Sequence, residues 1–207
     1  MTQDGPVTRA QGDAAAPAES FSEEHFVNLY LAKDDPWDNA TKWSDRRKYA
    51  ITAASLPREH YERAYEPGCA VGELTRLLAP RCSSLLAVDC VDAAVEQASA
   101  AVASFPHVEV SRALLPAELP TGTFDLIVVG DLLYYLSDAD LTALLDGLLA
   151  RLEPCGDIAA VHFRDRGGAG NYDGFNVHEA LIARPGLEHV VHHSDDWFVL
   201  DILTSAT

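Results

Sequence analysis

The 207-residue sequence has few basic side chains, few cysteines and no long apolar run. Its 15 lysines and arginines stand against 32 acidic residues, for a formal charge of -17. Because no basic stripe could follow a phosphate backbone, we do not expect a nucleic-acid partner. The four cysteines form no Cys-x-x-Cys pair and no zinc template with histidine, so reduced thiols and no metal are expected.

No apolar stretch reaches the length of a bilayer-spanning helix, because Gly130 and Asp131 interrupt the longest one. The first residues lack the basic start and apolar core of a signal peptide, so we expect a cytoplasmic protein without membrane attachment. Their composition predicts a disordered leader over 1–19. The remainder, 20–207, has the length of a single domain, in which 20–57 is expected to form a helical cap.

The most informative stretch is the run from Glu66 to Gly72, Glu-Pro-Gly-Cys-Ala-Val-Gly, together with the Asp89 that ends the next apolar segment. A predicted strand precedes the run and a predicted helix follows it. Gly68 and Gly72 therefore lie in a strand-to-helix turn, where backbone can pass close to a ligand. Asp89 follows a strand, where a carboxylate can accept hydrogen bonds from both hydroxyls of a ribose. The pattern predicts a site for an adenosine-containing cofactor.

The run departs from the dinucleotide fingerprint Gly-x-Gly-x-x-Gly, because Ala70 and Glu73 occupy the second and third glycine positions. Glu66 places an acid just before the turn, where it would repel a pyrophosphate but attract the ammonium and sulfonium groups of S-adenosylmethionine. An NAD-dependent oxidoreductase is therefore disfavoured. The order acid-x-Gly-x-x-x-Gly resembles the motif of class I S-adenosylmethionine-dependent methyltransferases.

Strands and helices alternate from Tyr61 onward, which predicts a parallel sheet with right-handed crossovers. The predicted fold class is α/β, a Rossmann-like seven-stranded, mostly parallel sheet with a terminal antiparallel β-hairpin and an N-terminal helical cap. The expected strands are 63–65, 85–88, 107–110, 125–129, 157–163, 187–192 and 197–204. The expected helices are 20–32, starting with a capping box at Ser20, 44–55, capped by Ser44, and then 73–79, 92–104, 138–152 and 177–183.

Several segments are similar to the small subgroup of these methyltransferases that contains nodulation protein S, an N-methyltransferase of chitooligosaccharide signals. They are Asp35-Pro36-Trp37, Lys48-Tyr49, Glu66-Pro67-Gly68-Cys69, Leu133-Tyr134-Tyr135-Leu136, Ala160-Val161-His162-Phe163-Arg164 and His178. The resemblance spans roughly 26–203. It implies S-adenosyl-L-methionine as the cofactor, S-adenosyl-L-homocysteine as the product and a small-molecule acceptor.

The resemblance also implies cofactor contacts. Glu66 is expected near the methionine portion and Asp89 at the ribose, whereas Leu114 stands where relatives often place an Asp that accepts from the adenine amino group. Backbone groups near Leu114 and Leu115 are expected to contact adenine instead, with apolar side chains against the ring. The predicted cofactor-binding residues are Tyr30, Trp37, Glu66, Gly68, Cys69, Ala70, Gly72, Asp89, Cys90, Leu114, Leu115 and Gly130. Lys48 and Tyr49 are expected on the inner face of the cap, and Trp43 is expected to pack.

Asp131 follows the fourth strand, beside the expected position of the transferable methyl group. There it could offset the positive charge that forms on an amine, or it could cap the following turn. His162 ends the fifth strand and is the predicted base, because an imidazole accepts protons near neutral pH. An anionic acceptor group or Asp165 could pair with Arg164. The predicted acceptor-binding residues are Tyr134, Tyr135, Arg164 and His178, with one tyrosine in the pocket and the other beneath it.

These features predict an S-adenosylmethionine-dependent methyltransferase that acts on a small molecule. The preferred acceptor is an amine of an amino sugar or a related specialised metabolite. Because the cofactor motif does not record the acceptor atom, an O-methyltransferase of a hydroxyl or carboxylate stays open, as does a noncatalytic cofactor-binding protein. The sequence leaves the number of methyl groups and the oligomeric state undetermined.

Overall fold

The computed structural model describes residues 19–164 and 170–206. At its centre lies a seven-stranded sheet in the order β3-β2-β1-β4-β5-β7-β6. The strands are β1 (Tyr61–Pro67), β2 (Cys82–Asp89), β3 (Val108–Arg112), β4 (Phe124–Gly130), β5 (Leu152–Phe163), β6 (Leu187–Ser194) and β7 (Phe198–Ser205). The first five run parallel, and β7 is antiparallel to both β5 and β6. The predicted fold class is confirmed.

Six α-helices surround this sheet among the described residues. They are α1 (Glu23–Ala32), α2 (Trp43–Ser55), α3 (Glu73–Leu78), α4 (Asp92–Ala101), α5 (Asp138–Leu149) and α6 (Gly174–Ile182). None of these helices combines the length and apolar character needed to cross a membrane. The predicted leader lies outside the described residues except for Glu19.

The helix starts differ from the predicted ones. Ser22, not Ser20, caps α1, because its side chain accepts from the backbone N–H of His25 at 3.2 Å. Ser20 is used elsewhere, since its hydroxyl accepts from the backbone N–H of Ser137 at 2.8 Å. Helix α2 begins one residue before Ser44 and has no side-chain cap. The Ser20 hydroxyl is thus taken up by partners distant in sequence, whereas the Ser44 hydroxyl donates to the neighbouring Asp45 carboxylate at 3.1 Å.

The end of the fourth crossover also differs from its prediction. Helix α5 ends at Leu149, and Leu152 already pairs with Phe124 at the start of β5. The register between β4 and β5 then shifts, and Cys155 takes a left-handed φ of 59°. The segment 154–156, predicted to stop a helix, therefore forms an irregularity within a longer strand.

Both faces of the sheet are covered. In β4, Leu126 and Val128 pack with α2 and α3, whereas Ile127 and Val129 pack with the leucines of α5 and with α6. All four side chains are fully buried, as two-sided burial of a central parallel strand requires. Because parallel strands end at the same edge, this packing brings the carboxyl ends of β1, β2 and β4 together.

Candidate active site

A cavity lies where β1, β2 and β4 end, and α1 and α2 contribute to its wall. The predicted site residues that line it are Tyr30, Trp37, Glu66, Gly68, Cys69, Ala70, Asp89, Cys90, Leu114, Leu115, Gly130, Asp131 and Tyr135. Tyr49 also lines it, as expected for the inner face of the cap. Lining residues that were not predicted as site residues are Ser20, Phe21, Glu23, Phe26, Asn39, Leu74, Val88, Ala113, Leu132 and Leu136. Phe26 could have been predicted from the apolar face of α1, but no local sequence signal identifies Asn39.

The turn after β1 is held in an uncommon backbone conformation. Gly68 and Gly72 have φ values of 76° and 84°, in the region that favours glycine. A Cβ on Gly68 would touch the Leu132 side chain at 3.4 Å, an ordinary contact, so conformation rather than space favours glycine there. A Cβ on Gly72 would lie 2.8 Å from the Ala98 Cα of α4. Gly72, predicted to bind the cofactor, is outside the described lining and instead lets α4 approach.

Asp89 ties this turn to the end of β2. Its carboxylate accepts from the backbone N–H of Ala70 at 3.0 Å and from that of Val91 at 3.1 Å. Burial raises the pKa of Asp89, although these N–H groups lower it in part. The same carboxylate lines the cavity and keeps further lone pairs for hydroxyl donors. Asp89 therefore orders the turn and remains available to hydroxyl donors in the cavity.

Glu66 and Tyr30 bring unpaired polar atoms to the cavity wall. Glu66 is 2% exposed, and its Oε2 has no hydrogen-bond partner among the described residues. Burial, with a contribution from the charge of Asp89, raises the pKa of Glu66 to about 8. The buried hydroxyl of Tyr30 is likewise unpaired in the described part of the chain. A buried acceptor and donor without partners fit a ligand that carries an ammonium and a carboxylate, as the methionine portion of S-adenosylmethionine does.

At the adenine end of the predicted site, two backbone donors already have partners within the chain. Leu114 lines the cavity, but its backbone N–H donates to the Glu118 side chain at 2.7 Å. The neighbouring N–H of Ala113 donates to the Asp89 carbonyl at 2.9 Å. These two donors, expected to be available to adenine, are engaged within the chain. The side chains of Leu114 and Leu115 in this wall can make apolar contact with a planar ring.

Asp131 stands at the end of β4 in a left-handed conformation with φ of 51°. Its Oδ1 accepts from the Tyr134 hydroxyl at 2.8 Å and from the Phe163 backbone N–H at 3.0 Å. Its Oδ2 accepts from the ammonium of Lys48. Because the turn after β4 has Leu132 at its cap position, Asp131 does not serve as the alternative helix cap.

Lys48 holds α2 against the sheet. Its side chain is fully buried, its Nζ lies 3.4 Å from the Asp45 carboxylate, and it also pairs with Asp131. The ammonium lies 3.6 Å from the centroid of the Phe163 ring. Burial raises the pKa of Asp45. With both acids ionised the three groups carry one net negative charge, and Asp131, whose side chain is 17% exposed, presents it to the cavity. Lys48 itself lies outside the described lining.

Comparison with known proteins identifies the family of this chain. The sequence model of the nodulation protein S (NodS) family matches residues 21–166. The chain belongs to the NodS family. Membership confirms the predicted enzyme class, a methyltransferase that uses S-adenosylmethionine.

Individual NodS-family relatives and solved structures support the assignment. Nodulation protein S of Rhizobium tropici is 29% identical over 167 residues, which cover 80% of this chain and 70% of that protein. A Pseudomonas syringae protein, provisionally assigned as a methyltransferase, is 42% identical, with a TM-score of 0.70 over 79% of this chain and 99% of that one. N-methyltransferase NodS from Bradyrhizobium japonicum WM9, solved with S-adenosyl-L-homocysteine, shares the fold at 24% identity, with a TM-score of 0.78 over 89% and 99%.

In this NodS-family chain, the predicted base is not at the cavity. His162 is fully buried outside the described lining, and its Nε2 accepts from the Leu133 backbone N–H at 3.2 Å. Its Nδ1 must then carry the proton and donate to His178 Nε2, 3.0 Å away. His178 in turn donates from Nδ1 to the buried Asp201 at 2.5 Å. Both imidazoles therefore orient backbone and strands here, and neither stands where it could take a proton from an acceptor.

The remaining predicted acceptor residues divide in the same way. Tyr135 lines the cavity, whereas Tyr134 is fully buried beneath it with its ring 5.2 Å from that of His162. Arg164 lies outside the described lining, where it donates to the Asp195 carbonyl at 2.7 Å. Its alternative partner, residue 165, is outside the described residues. Trp43, expected to pack, is 63% exposed.

Two contacts at the protein surface hold α1 and the segment that follows it against β3 and α4. Arg112 at the end of β3 pairs with Glu23 of α1, and both side chains are more than one-third exposed. Gln97 of α4 donates to the Asp34 carbonyl after α1, at 2.6 Å. Since Glu23 also lines the cavity, these contacts hold α1 in its place at the wall.

Proposed function

We propose that this protein transfers a methyl group from S-adenosylmethionine to the amine of a small molecule, with an amino sugar or a related amine as its acceptor. The observation that carries the proposal is Asp131, a carboxylate oriented by three donors on the cavity wall next to the predicted cofactor residues. The N-methyltransferase activity of the Bradyrhizobium relative agrees with an amine acceptor.

The residues of the cavity have separate tasks. Glu66 and Tyr30 are placed to hold the amino-acid end of the cofactor, and Asp89 its ribose. When bound, S-adenosylmethionine supplies the methyl group, whose bond to sulfur breaks as the bond to nitrogen forms. Positive charge then appears on nitrogen, and Asp131 is fixed in advance to stabilise it.

The acceptor amine must be neutral to attack, but a free alkylamine with a pKa of about 10 is mostly protonated at neutral pH. The wall around Asp131 includes the apolar rings of Phe26, Tyr49 and Tyr135. These rings exclude water and disfavour the charged amine, which opposes the attraction of the Asp131 carboxylate for it, so the amine loses its proton to solvent before it attacks. Asp131 is held by Lys48 and hydrogen bonds, so we assign it to orienting the amine and stabilising the forming ammonium rather than to taking the proton.

The test is an acceptor screen with the purified full chain and radiolabelled S-adenosylmethionine. Amino sugars are compared with their N-acetylated forms, because acetylation removes the nucleophilic amine and keeps every hydroxyl. We expect labelling of the free amines only. Equal labelling of both forms would establish an O-methyltransferase instead, and cofactor binding without labelling of any acceptor class would favour a noncatalytic role.

Asp131→Asn keeps the size of the side chain and removes its charge. We expect turnover with an amine acceptor to fall by about 100-fold, in line with the loss of one oriented electrostatic group, while cofactor affinity changes little. The measurement is kcat for the amine beside calorimetric binding of S-adenosylhomocysteine. Asp125→Asn, in a half-buried β4 residue away from the cavity, is the control for charge loss on the same strand. Unchanged turnover in the Asp131 variant would remove its proposed role.

A further inference from the structure

Three potential metal ligands converge at the end of the sheet opposite β3. His189 and His192 of β6 and Asp201 of β7 each offer one ligand atom, and these atoms all lie within 4.8 Å of one another. His189 Nε2 is 2.6 Å and His192 Nδ1 is 2.7 Å from the same oxygen, Asp201 Oδ1. None of the three is used by the cofactor cavity.

A strand irregularity makes this convergence possible. Residues three apart in a regular strand point to opposite faces of the sheet. Here His189 pairs with Leu203 and His192 with Asp201, while the register shifts between them and Val190 is the extra residue. Since Leu203 and Asp201 are two apart in β7, the bulge turns His189 and His192 to the same face. The sequence pattern therefore hid the cluster, because its His-x-x-His spacing suits a helix rather than a strand.

A hydrogen bond to its second oxygen holds the Asp201 carboxylate of this cluster in place. Asp201 is 1% exposed, and its other oxygen, Oδ2, accepts from His178. The side chains of His189 and His192 are 34% and 55% exposed, so an ion can reach them from solvent. A rigid buried carboxylate with a second-sphere hydrogen bond, facing two accessible imidazoles, is an arrangement that orients metal ligands.

We propose that His189, His192 and Asp201 bind one divalent cation of the zinc type, with water completing a tetrahedral site. Zinc–ligand bonds of about 2.0–2.1 Å place tetrahedral ligands roughly 3.3 Å apart, so each imidazole moves by well under 1 Å from Asp201. His189 Nε2 also gives up its 3.0 Å contact with the Val191 carbonyl. The mixed nitrogen and oxygen donors favour zinc over calcium or magnesium, which prefer oxygen alone.

The position of the site gives it a structural task. In the sheet order, β6 lies three strands from β4, roughly 14 Å from the end of the cavity-forming strands. It is also an edge strand, whose unpaired backbone groups invite pairing with another chain. A cation that ties two side chains of β6 to β7 fixes the bulge and the hairpin. Binding is therefore expected to raise stability and leave methyl transfer nearly unchanged.

The experiment uses tag-free full-length protein titrated with zinc chloride by calorimetry and followed by thermal unfolding. We expect one zinc per chain and a rise in Tm of about 5 to 10 °C when free zinc is roughly 100-fold above Kd. His189→Ala and His192→Ala should each weaken zinc binding by at least about 100-fold, because loss of an outer-sphere partner alone can weaken metal binding by up to about 100-fold. His193→Ala is the matched control, because this neighbour in β6 contacts Asp195 instead.

Cobalt gives a readout that does not depend on any variant. In wild-type protein, Co²⁺ in the proposed site should produce the intense visible bands of a tetrahedral ion without a thiolate charge-transfer band. Cys155→Ser tests the exposed thiol as a competing ligand. Zinc binding of equal affinity in the two alanine variants, its loss in Cys155→Ser, or a thiolate band with cobalt would each overturn the proposal, as would the absence of any zinc-dependent rise in Tm.

Discussion

Replacing Glu66 with Gln is expected to weaken S-adenosylmethionine binding by about 10- to 100-fold and to stabilise the protein without cofactor. The first effect follows because Glu66 lines the cavity as a buried acceptor with an unpaired Oε2, and a charge-assisted hydrogen bond from the cofactor ammonium contributes roughly 1.5–3 kcal/mol. The second follows because the ionised carboxylate is costly to bury without a partner.

The pH dependence of stability has a defined sign. The pKa of Glu66 is raised from 4.5 to about 8 in the folded protein, so the folded state holds a proton that the unfolded state has released between these values. The free energy of unfolding of the wild type therefore falls as pH rises through this window, by an amount on the order of 3–5 kcal/mol. Glu66→Gln removes this fall, so its advantage over the wild type should be small below about pH 5 and largest above pH 8.

Binding of the cofactor is expected to release the proton that Glu66 holds in the free protein. At pH 7 most free protein holds Glu66 neutral, because its pKa is about 8, so binding of the cationic cofactor should release most of a proton from this group. Calorimetry in buffers of different ionisation enthalpy measures this release, and the difference between wild type and Glu66→Gln separates it from titration of the cofactor amine. Glu62→Gln, in an exposed residue of the same strand, is the control. Equal proton release and affinity in wild type and Glu66→Gln would exclude contact between Glu66 and the ammonium.

Lys48→Met is expected to destabilise the protein by about 3–5 kcal/mol, because it leaves Asp45 and Asp131 without their shared cation. Methionine keeps an unbranched side chain of similar length in the buried site but loses the ammonium contact with the Phe163 ring, so the measured loss reports the charge together with that cation–π contact. Urea unfolding at pH 7 measures it. Turnover should fall as well, since Asp131 would lose one of the donors that orient it.

The matched control is Lys42→Met, because Lys42 pairs with Asp38 at the surface, where an ion pair contributes roughly 0–1 kcal/mol. Removing the acids provides a second check. The double variant Lys48→Met with Asp45→Asn should be more stable than Lys48→Met alone, since one uncompensated carboxylate is gone. A Lys48→Met protein as stable as the Lys42→Met control would show that the buried trio does not hold α2 on the sheet.

Most of the fold followed from local patterns. The run from Glu66 to Gly72 gave a strand, a tight turn and a helix, and the fully apolar stretch of β4 gave a buried central strand. These features depend on neighbours in sequence, which is why the observed strands and helices agree with them. The division into a leader, a cap and one domain remains a prediction, as do the individual site roles.

The side-chain partners could not be predicted in this way. Lys48 and Asp131 are 83 residues apart, and His162 and Leu133 are 29 apart, so their contacts exist only after the helices dock. His162 has the residue type and strand position expected of a base, but both imidazole nitrogens have partners within the protein. Whether a polar side chain faces a cavity or a buried partner depends on long-range packing that residue type and spacing do not encode.

The two surface contacts that hold α1 in place also affect the rates of cofactor binding and release. The ion pair between Glu23 and Arg112 is more than one-third exposed, so dissolved salt screens it. The hydrogen bond from Gln97 to the Asp34 carbonyl carries no net charge and resists such screening. Added salt therefore weakens the ion pair that holds α1 to β3 and leaves the hydrogen bond from α4 in place. Dissociation of the cofactor should therefore become faster with ionic strength, as α1 opens more often about the end that Gln97 still holds, whereas screening of the acidic protein slows association of the cationic cofactor.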